Sequence, residues 1–377
     1  VAKRGSVANM STVCSESGLP TVGVEEEFLL VYPDSGEPAP RNSEVAAEAE
    51  RRGGNLQVEL SSCQVETTSG VVSSSRQLST ELSALRRTAA RAAEAVGVRL
   101  LALGLPPVTP IEFPVTDTPR YRKIGEQFGM VAHEQGICGC HVHVQVPDRA
   151  AAIQASNWLR PWLPSLLALS ANSAVYRNSD SGYASWRSVL WRRWPVAGAP
   201  PYFTSLDEYD STVQMLIDTG VILDNGMVYW DVRPSAEFPT VEVRVADVPA
   251  TVADTVLLAT LIRAAVMTAV DEGPDGADRL PPAALRAAYW KAAHDGLAGD
   301  TLDLVHGRGA VPAREQLSSL VQRVRPALDA LGEYHHVVDE LDRVTTLGNG
   351  AMRQLRAFRK RGDAMDVIEA AAEATLS

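Results

Sequence analysis

Acidic and histidine side chains recur at alternate positions in segments that otherwise have the composition of β-strands. Five places stand out: Glu25 and Glu27 in GVEEEF, Glu59 and Glu66 in VELSSCQVE, His141 and His143 in GCHVHV, Asp231 and Arg233 in YWDVRP, and Glu242 and Arg244 in VEVRV. Strand side chains alternate faces, so each pair spaced by two residues points one way, and strands only about 4.8 Å apart could gather these groups on one surface. Two bare carboxylates about 4 Å apart would repel by roughly 4 kcal/mol at an effective dielectric near 20. Positive charge must therefore sit among them. Arg233 and Arg244 can supply part of it, and several carboxylates with an imidazole are also the donor set that hard divalent cations such as Mg²⁺ prefer. Taken singly, each pair reads as the solvated face of an amphipathic strand. Five of them, several in valine-rich segments, favour a site.

Cys138-Gly139-Cys140-His141 has the look of a zinc cluster, but in a strand the cysteines face away from His141 and His143, and core or edge thiols are expected instead. The chain has no GxxxxGK[ST] loop, and LGNG at 347–350 does not fit a GxGxxG that opens a helix after a strand. A bound nucleotide would need cations and arginines for its phosphates. DSGYASWRS (180–188) is polar, glycine-containing and aromatic. It suits a substrate loop, with Arg187 and Tyr183 as contacts to a carboxylate or phosphate. Stacking of Arg187 on Trp186 or Trp191 is an equally good reading of the same residues. His133, His294, His306, His335 and His336 read as surface or capping residues.

The elements that must position these groups follow from periodicity. Residues 1–20 are small, polar and aperiodic, which predicts an N-terminal extension, and Met10 is a candidate start. TVGVEEEFLLVYP alternates as a strand does. From Leu78 the positions Leu82, Leu85, Ala89, Ala92 and Val96 form one helical stripe, with Ser74 and Gln77 placed as a capping box and Gly97 at its end. VRLLALG reads as a buried strand, LPPVTPIEFP as an irregular loop, and CGCHVHVQV and TVEVRVADV as alternating strands. Residues 150–176 read as helical and 177–205 as a long loop. From about 250 onward helical spacing dominates, which predicts a helical part packed on the sheet of a single domain over 21–377. The tryptophans Trp158, Trp162, Trp186, Trp191 and Trp194 read as core, with an interface as the alternative.

Composition bounds the function. The 377 residues carry 35 Lys and Arg against 46 Asp and Glu, a net charge of −11, so nothing draws the chain to nucleic acid or an anionic bilayer. No apolar run reaches the roughly 20 residues of a membrane span, and VAKRGSVANM does not resemble a signal peptide. A cytoplasmic protein with reduced thiols is the expectation, since four cysteines are too few for a disulfide framework.

GVEEEFLLV, VELSSCQVE, CGCHVHVQVPDR, DSGYASWRS and YWDVRPSAEFPTVEVRVADV, in this order, resemble the carboxylate–amine ligase family, also called glutamate–cysteine ligase type 2, and the similarity runs from about Thr21 to GNGAMRQL. The resemblance implies an α+β fold of the glutamine synthetase and glutamate–cysteine ligase superfamily: a curved, mainly antiparallel sheet with helices on its outer face and ATP and divalent metal on the concave one. It implies Glu25, Glu27, Glu59, Glu66, His141 and Glu242 as ligands of Mg²⁺ or Mn²⁺, Arg244 and Arg233 as catalytic groups near phosphate or substrate carboxylate, and His143 as either ligand or substrate contact. The implied activity is ATP-dependent joining of the γ-carboxylate of glutamate, or of a similar amino acid, to an amine, with cysteine as default acceptor, in a homo-oligomer such as a dimer. A metal-dependent phosphotransferase and an inactive metabolite-binding homologue are the alternatives. SAVYRNS (173–179) and Gln145 depart from the family pattern, and both are expected near the amine pocket.

Overall fold

The structure, a computed structural model, describes residues 18–277 and 279–377. Most of the expected N-terminal extension, with Met10 and Cys14, lies outside the described residues. Seven strands form one sheet: β1 (Val22–Val31), β2 (Gln57–Val58), β3 (Gln64–Thr68), β4 (Arg99–Leu101), β5 (Gly139–Gln145), β6 (Val232–Pro234) and β7 (Thr240–Asp247). Their order is β2-β3-β1-β5-β7-β6, with β4 also on β1, and every pairing is antiparallel. The fold is α+β.

One face of the sheet is covered by helices. Val22, Val24, Cys140, Val142, Val144, Val241 and Val243 share a core with α1 (Ser75–Val96), α2 (Arg149–Leu159), α3 (Leu163–Ser170) and α5 (Val252–Glu272). Each fully buried Val, Leu or Phe side chain contributes about 1.5–3 kcal/mol, and a slip of one residue would swap this set for the acids, so the register is firmly fixed. The capping box is partly as predicted: Ser74 accepts from the Gln77 N–H, whereas the Gln77 side chain accepts from Ser73, and Gly97 ends the helix at φ 81°. Cys140 is buried on the covered side, whereas Cys138, also buried, accepts at Sγ from Gln64, a residue beside the acidic face, and burial pushes both thiols up.

Three expectations need correction. The long loop at 177–205 contains a short hairpin (Val175–Tyr176 with Ser179–Asp180) and a helix, α4 (Trp186–Trp191). The helical C-terminal part carries a second hairpin, Asp300–Asp303 with Gly309–Pro312. One helix, α5, does have the length and apolarity to span a bilayer, but 83% of its apolar window is buried within the protein, which makes it the core helix.

Candidate active site

Glu25 and Glu27 share the face of β1 opposite Val22, Val24 and Phe28, and register carries the acidic pattern across the sheet. Glu27 pairs with Glu66 on β3, Glu25 with His141 on β5, His143 with Glu242 on β7, and Glu242 with Arg233 on β6. Glu59 comes from the turn after β2, not from a strand. The gathering expected from alternation thus occurs for the six acids and imidazoles named as ligands.

Among the described residues three groups of donors lie close enough to share a cation: Glu27 with Glu59 and Glu66, Glu25 with Glu66 and His141, and Glu25 with His143 and Glu242, each set within 4.8 Å. Their electrostatics differ. Arg233 Nε donates to Glu242 Oε2 at 2.8 Å, and Arg244 Nη1 also bonds Glu242. Although burial opposes it, these guanidinium groups hold the Glu242 carboxyl well below its usual range. Glu25 accepts from His141 at 3.0 Å and lies 3.4 Å from His143 Nε2. Burial raises the Glu25 carboxyl, but both imidazoles outweigh this and leave it low. For His143 burial works against protonation, and Glu25 and Glu242 overcome it; for His141 burial, then Arg244, favour the neutral ring.

Glu59 and Glu66 get less relief: the Arg244 charge and, for Glu59, the Leu60 N–H lower them without offsetting burial and repulsion. Among the described residues no cationic side chain pairs with either. Burial, followed by repulsion from Glu27 and Glu25, pushes Glu59 up to about 8, and burial with repulsion from Glu59, Glu25 and Glu27 puts Glu66 well above the carboxylate range. At the spacing of these carboxylates two unit charges repel by about 3–4 kcal/mol at an effective dielectric near 20. A divalent cation would convert this cost into ligation, and three oxygen donors with one face open fit Mg²⁺ or Mn²⁺. The residues present therefore fit the implied metal, best at Glu27, Glu59 and Glu66.

Between the two arginines expected to be catalytic the geometry discriminates. Arg233 spends its donors on Glu242 and on the carbonyl of Val228 at 2.6 Å. Arg244 keeps a buried Nε without a partner and lines the cavity above the acids. Arg187 also lines that cavity, where Asp247 sits 3.5 Å from its Nη1. Asp247 is itself held by the Asn172 N–H at 2.8 Å, Ser173 Oγ at 2.7 Å and Ser185 Oγ at 2.8 Å.

Strict alternation along β7 would place Asp247 on the covered side. A bulge between Cys140 and Val142 sets residues 244 and 245 against His141, so the alternation shifts by one and Asp247 faces the site. This residue is invisible to a pattern of period two. Gly139 carried a legible signal, since glycine inside a strand marks close approach. A Cβ there would meet Arg187 Nη2 at 2.3 Å, and the Gly139 N–H donates to Glu27 at 2.5 Å.

Other expectations end elsewhere. Asp231 is buried outside all three cation-capable sets, and burial raises its carboxyl. Tyr183 packs on Trp186, Trp290 and His294, apart from the residues lining the cavity. The departures from the family pattern also lie off the cavity. Gln145 ties down Thr21 at the start of β1, and Asn178 caps the helix at 364–375 through the Ala364 N–H.

Comparison with known proteins agrees with this geometry. The model of glutamate–cysteine ligase family 2 (GCS2) matches residues 21–370. A candidate glutamate–cysteine ligase 2-2 of Mycolicibacterium vanbaalenii is 63% identical over 360 residues, covering 95% of this chain and 98% of its own. A candidate glutamate–cysteine ligase 2-1 of Nocardia farcinica is 57% identical, covering 95% and 94%. Among solved structures, the glutamate–cysteine ligase of Francisella tularensis in complex with AMP superposes with a TM-score of 0.68 at 14% identity, over 95% of this chain and 88% of that one. A bifunctional glutathione synthetase of Pasteurella multocida gives 0.63 at 16% identity, over 94% of this chain and 52% of that one. At these identities the solved structures speak to fold alone.

Proposed function

This chain belongs to glutamate–cysteine ligase family 2, and from that premise we propose that it is an ATP-dependent carboxylate–amine ligase. It activates the γ-carboxylate of glutamate, or of a closely similar amino acid, and joins it to an amine, with cysteine the first candidate acceptor. The observation that carries the reading is the trio Glu27, Glu59 and Glu66, whose mutual repulsion the charge of Arg244 offsets only in part.

Carboxylate and amine do not condense in water unaided, so the departing oxygen must become a good leaving group. In the proposed reaction the γ-carboxylate attacks the γ-phosphorus of ATP, ADP leaves, and the resulting acyl phosphate is captured by the amine with loss of phosphate. Divalent metal held by Glu27, Glu59 and Glu66, with Glu25, His141, His143 and Glu242 as further donors, would screen the phosphate oxygens and the incoming carboxylate. The protein's own contribution is charge and position. Arg244 lines the cavity and keeps a buried Nε unpartnered, and its guanidinium can stabilise charge on the transferring group. Glu242 fixes the guanidinium of Arg244 in place.

The test is an amine panel supplied with glutamate and Mg·ATP, followed by phosphate release and by mass analysis of the products. A new amide formed in step with ADP and phosphate supports the reading. A phosphorylated acceptor, or nucleotide binding with no turnover across the panel, contradicts it.

A further inference from the structure

Beside the acids lies a cavity of about 90 Å³. At roughly 10–15 Å³ for each water-sized occupant it takes about six to nine non-hydrogen atoms, the size of a small amino acid and far below that of a nucleoside triphosphate. Its wall has an unusual polar inventory. Gln135 is 4% exposed, and both its side-chain oxygen and nitrogen lack hydrogen-bond partners. Arg187, 3% exposed, keeps its Nε unpaired, and the indole nitrogens of Trp191 and Trp194 are also buried without partners. All four residues line this cavity together with Glu27 and Glu59.

Buried polar groups without partners cost about 1–3 kcal/mol each, so four residues carrying them around one cavity mark a place where a ligand completes the bonding. The donors outnumber the acceptors away from the acidic floor. One guanidinium N–H and two indole N–H groups match a carboxylate, while Gln135 offers an oxygen to an ammonium. Resting on the ligase reading, we infer that this cavity recognises the zwitterionic head of an amino-acid substrate: its α-carboxylate bonded by Arg187, Trp191 and Trp194, its α-ammonium by Gln135. Trp191, Trp194 and Gln135 are then specificity-determining residues. The floor formed by Glu27 and Glu59 places the bound head next to the phosphate chemistry. A site that bonds a carboxylate with buried donors rejects an analogue lacking it, because those donors are left unpaired again.

The same chemistry could come from either substrate, so the experiment has two arms. Tryptophan fluorescence of the full-length protein is titrated with glutamate against 4-aminobutyrate, and with cysteine against cysteamine, each analogue lacking only the α-carboxylate. At least one arm should show saturable quenching by the amino acid and a Kd for its analogue weaker by roughly 10- to 100-fold, the loss of one or two bonds to a charged group. Trp194→Phe keeps an aromatic ring but removes the N–H, and Gln135→Leu removes both polar atoms. Each should raise the KM of the amino acid in that arm by about the same factor and leave the KM for ATP unchanged. Equal binding of amino acid and analogue in both arms, or variants with unaltered amino-acid affinity, would overturn the inference. The titration needs no turnover: discrimination without ligase products sinks the ligase reading and keeps the pocket, and products without discrimination do the reverse.

Discussion

Three consecutive glutamates on β1 meet opposite fates. Glu26 turns into the helix-covered face, where it is fully buried against Arg86, with contacts of 3.0 Å from Nε and 2.6 Å from Nη2, and accepts a further bond from Thr255 at 2.7 Å. The same guanidinium reaches the carbonyls of Pro249, Ala250 and Thr375, tying the last helix to the sheet. Every charge there is answered within the protein. Glu25 and Glu27 point the other way, into a face where carboxylates outnumber their partners. A buried acid that serves the fold arrives with its counter-ion; one that serves chemistry is left short of one.

Removal of a charge should therefore have opposite consequences on the two faces. The largest effect is expected for Glu27→Gln, which should lower ATP-dependent turnover roughly a thousandfold by taking away a cation donor. Its melting temperature should hold or rise, because repulsion on that face is relieved. Arg86→Met should do the reverse, costing about 3–5 kcal/mol in denaturant unfolding by stranding Glu26. In the double variant Glu26→Met/Arg86→Met most of that loss should return, which a double-mutant cycle measures.

A third contrast lies in pH. Folding without metal raises the Glu59 carboxyl to about 8 from an ordinary value of 4.5. Across that window the folded state holds a proton that the unfolded chain has released, so stability is greater at the acid end and falls as pH rises toward 8. Melting of metal-free protein at several pH values should show this slope. Glu59→Gln, or added Mg²⁺, should flatten it.

The smallest effect belongs to the support of Arg187. Gly139→Ala puts a methyl where Arg187 Nη2 now lies. It should weaken kcat/KM for the amino acid about 10- to 100-fold through misplacement, with little change in the KM for ATP.

Much of this was legible in the sequence because alternation is local. Glu25, Glu27, His141, His143 and Glu242 follow from period two once their strands are recognised, and Cys140 falls on the covered side for the same reason, while Cys138, just before β5, contacts Gln64 instead. Register then brings the rows together, and only long-range pairing supplies it. Glu59 could be named but not placed on its turn. Asp247 escapes because a single extra residue on β7 reverses its face. Gln135 sits in the irregular stretch after residue 133, where no periodicity reports direction, and the unpaired indoles of Trp191 and Trp194 are recognisable only against the cavity. Nothing local to its helix shows that Arg86 has its partner 60 residues away. Tyr183 and Asp231 lie off the cavity and outside the cation-capable sets, which only the long-range packing of their segments decides.

The central claim is that the acids on the open face of β1 and β3 are there to hold a divalent cation with a nucleotide. Titration of the protein with Mn²⁺ in the presence of ADP, followed by electron paramagnetic resonance and by proton release, tests it most directly. Saturable binding that releases protons near pH 7, and that is lost in Glu27→Gln and Glu66→Gln, is the predicted result. Mn²⁺ that stays free in the presence of the wild-type protein, or binds Glu27→Gln and Glu66→Gln as well as wild type, would contradict it.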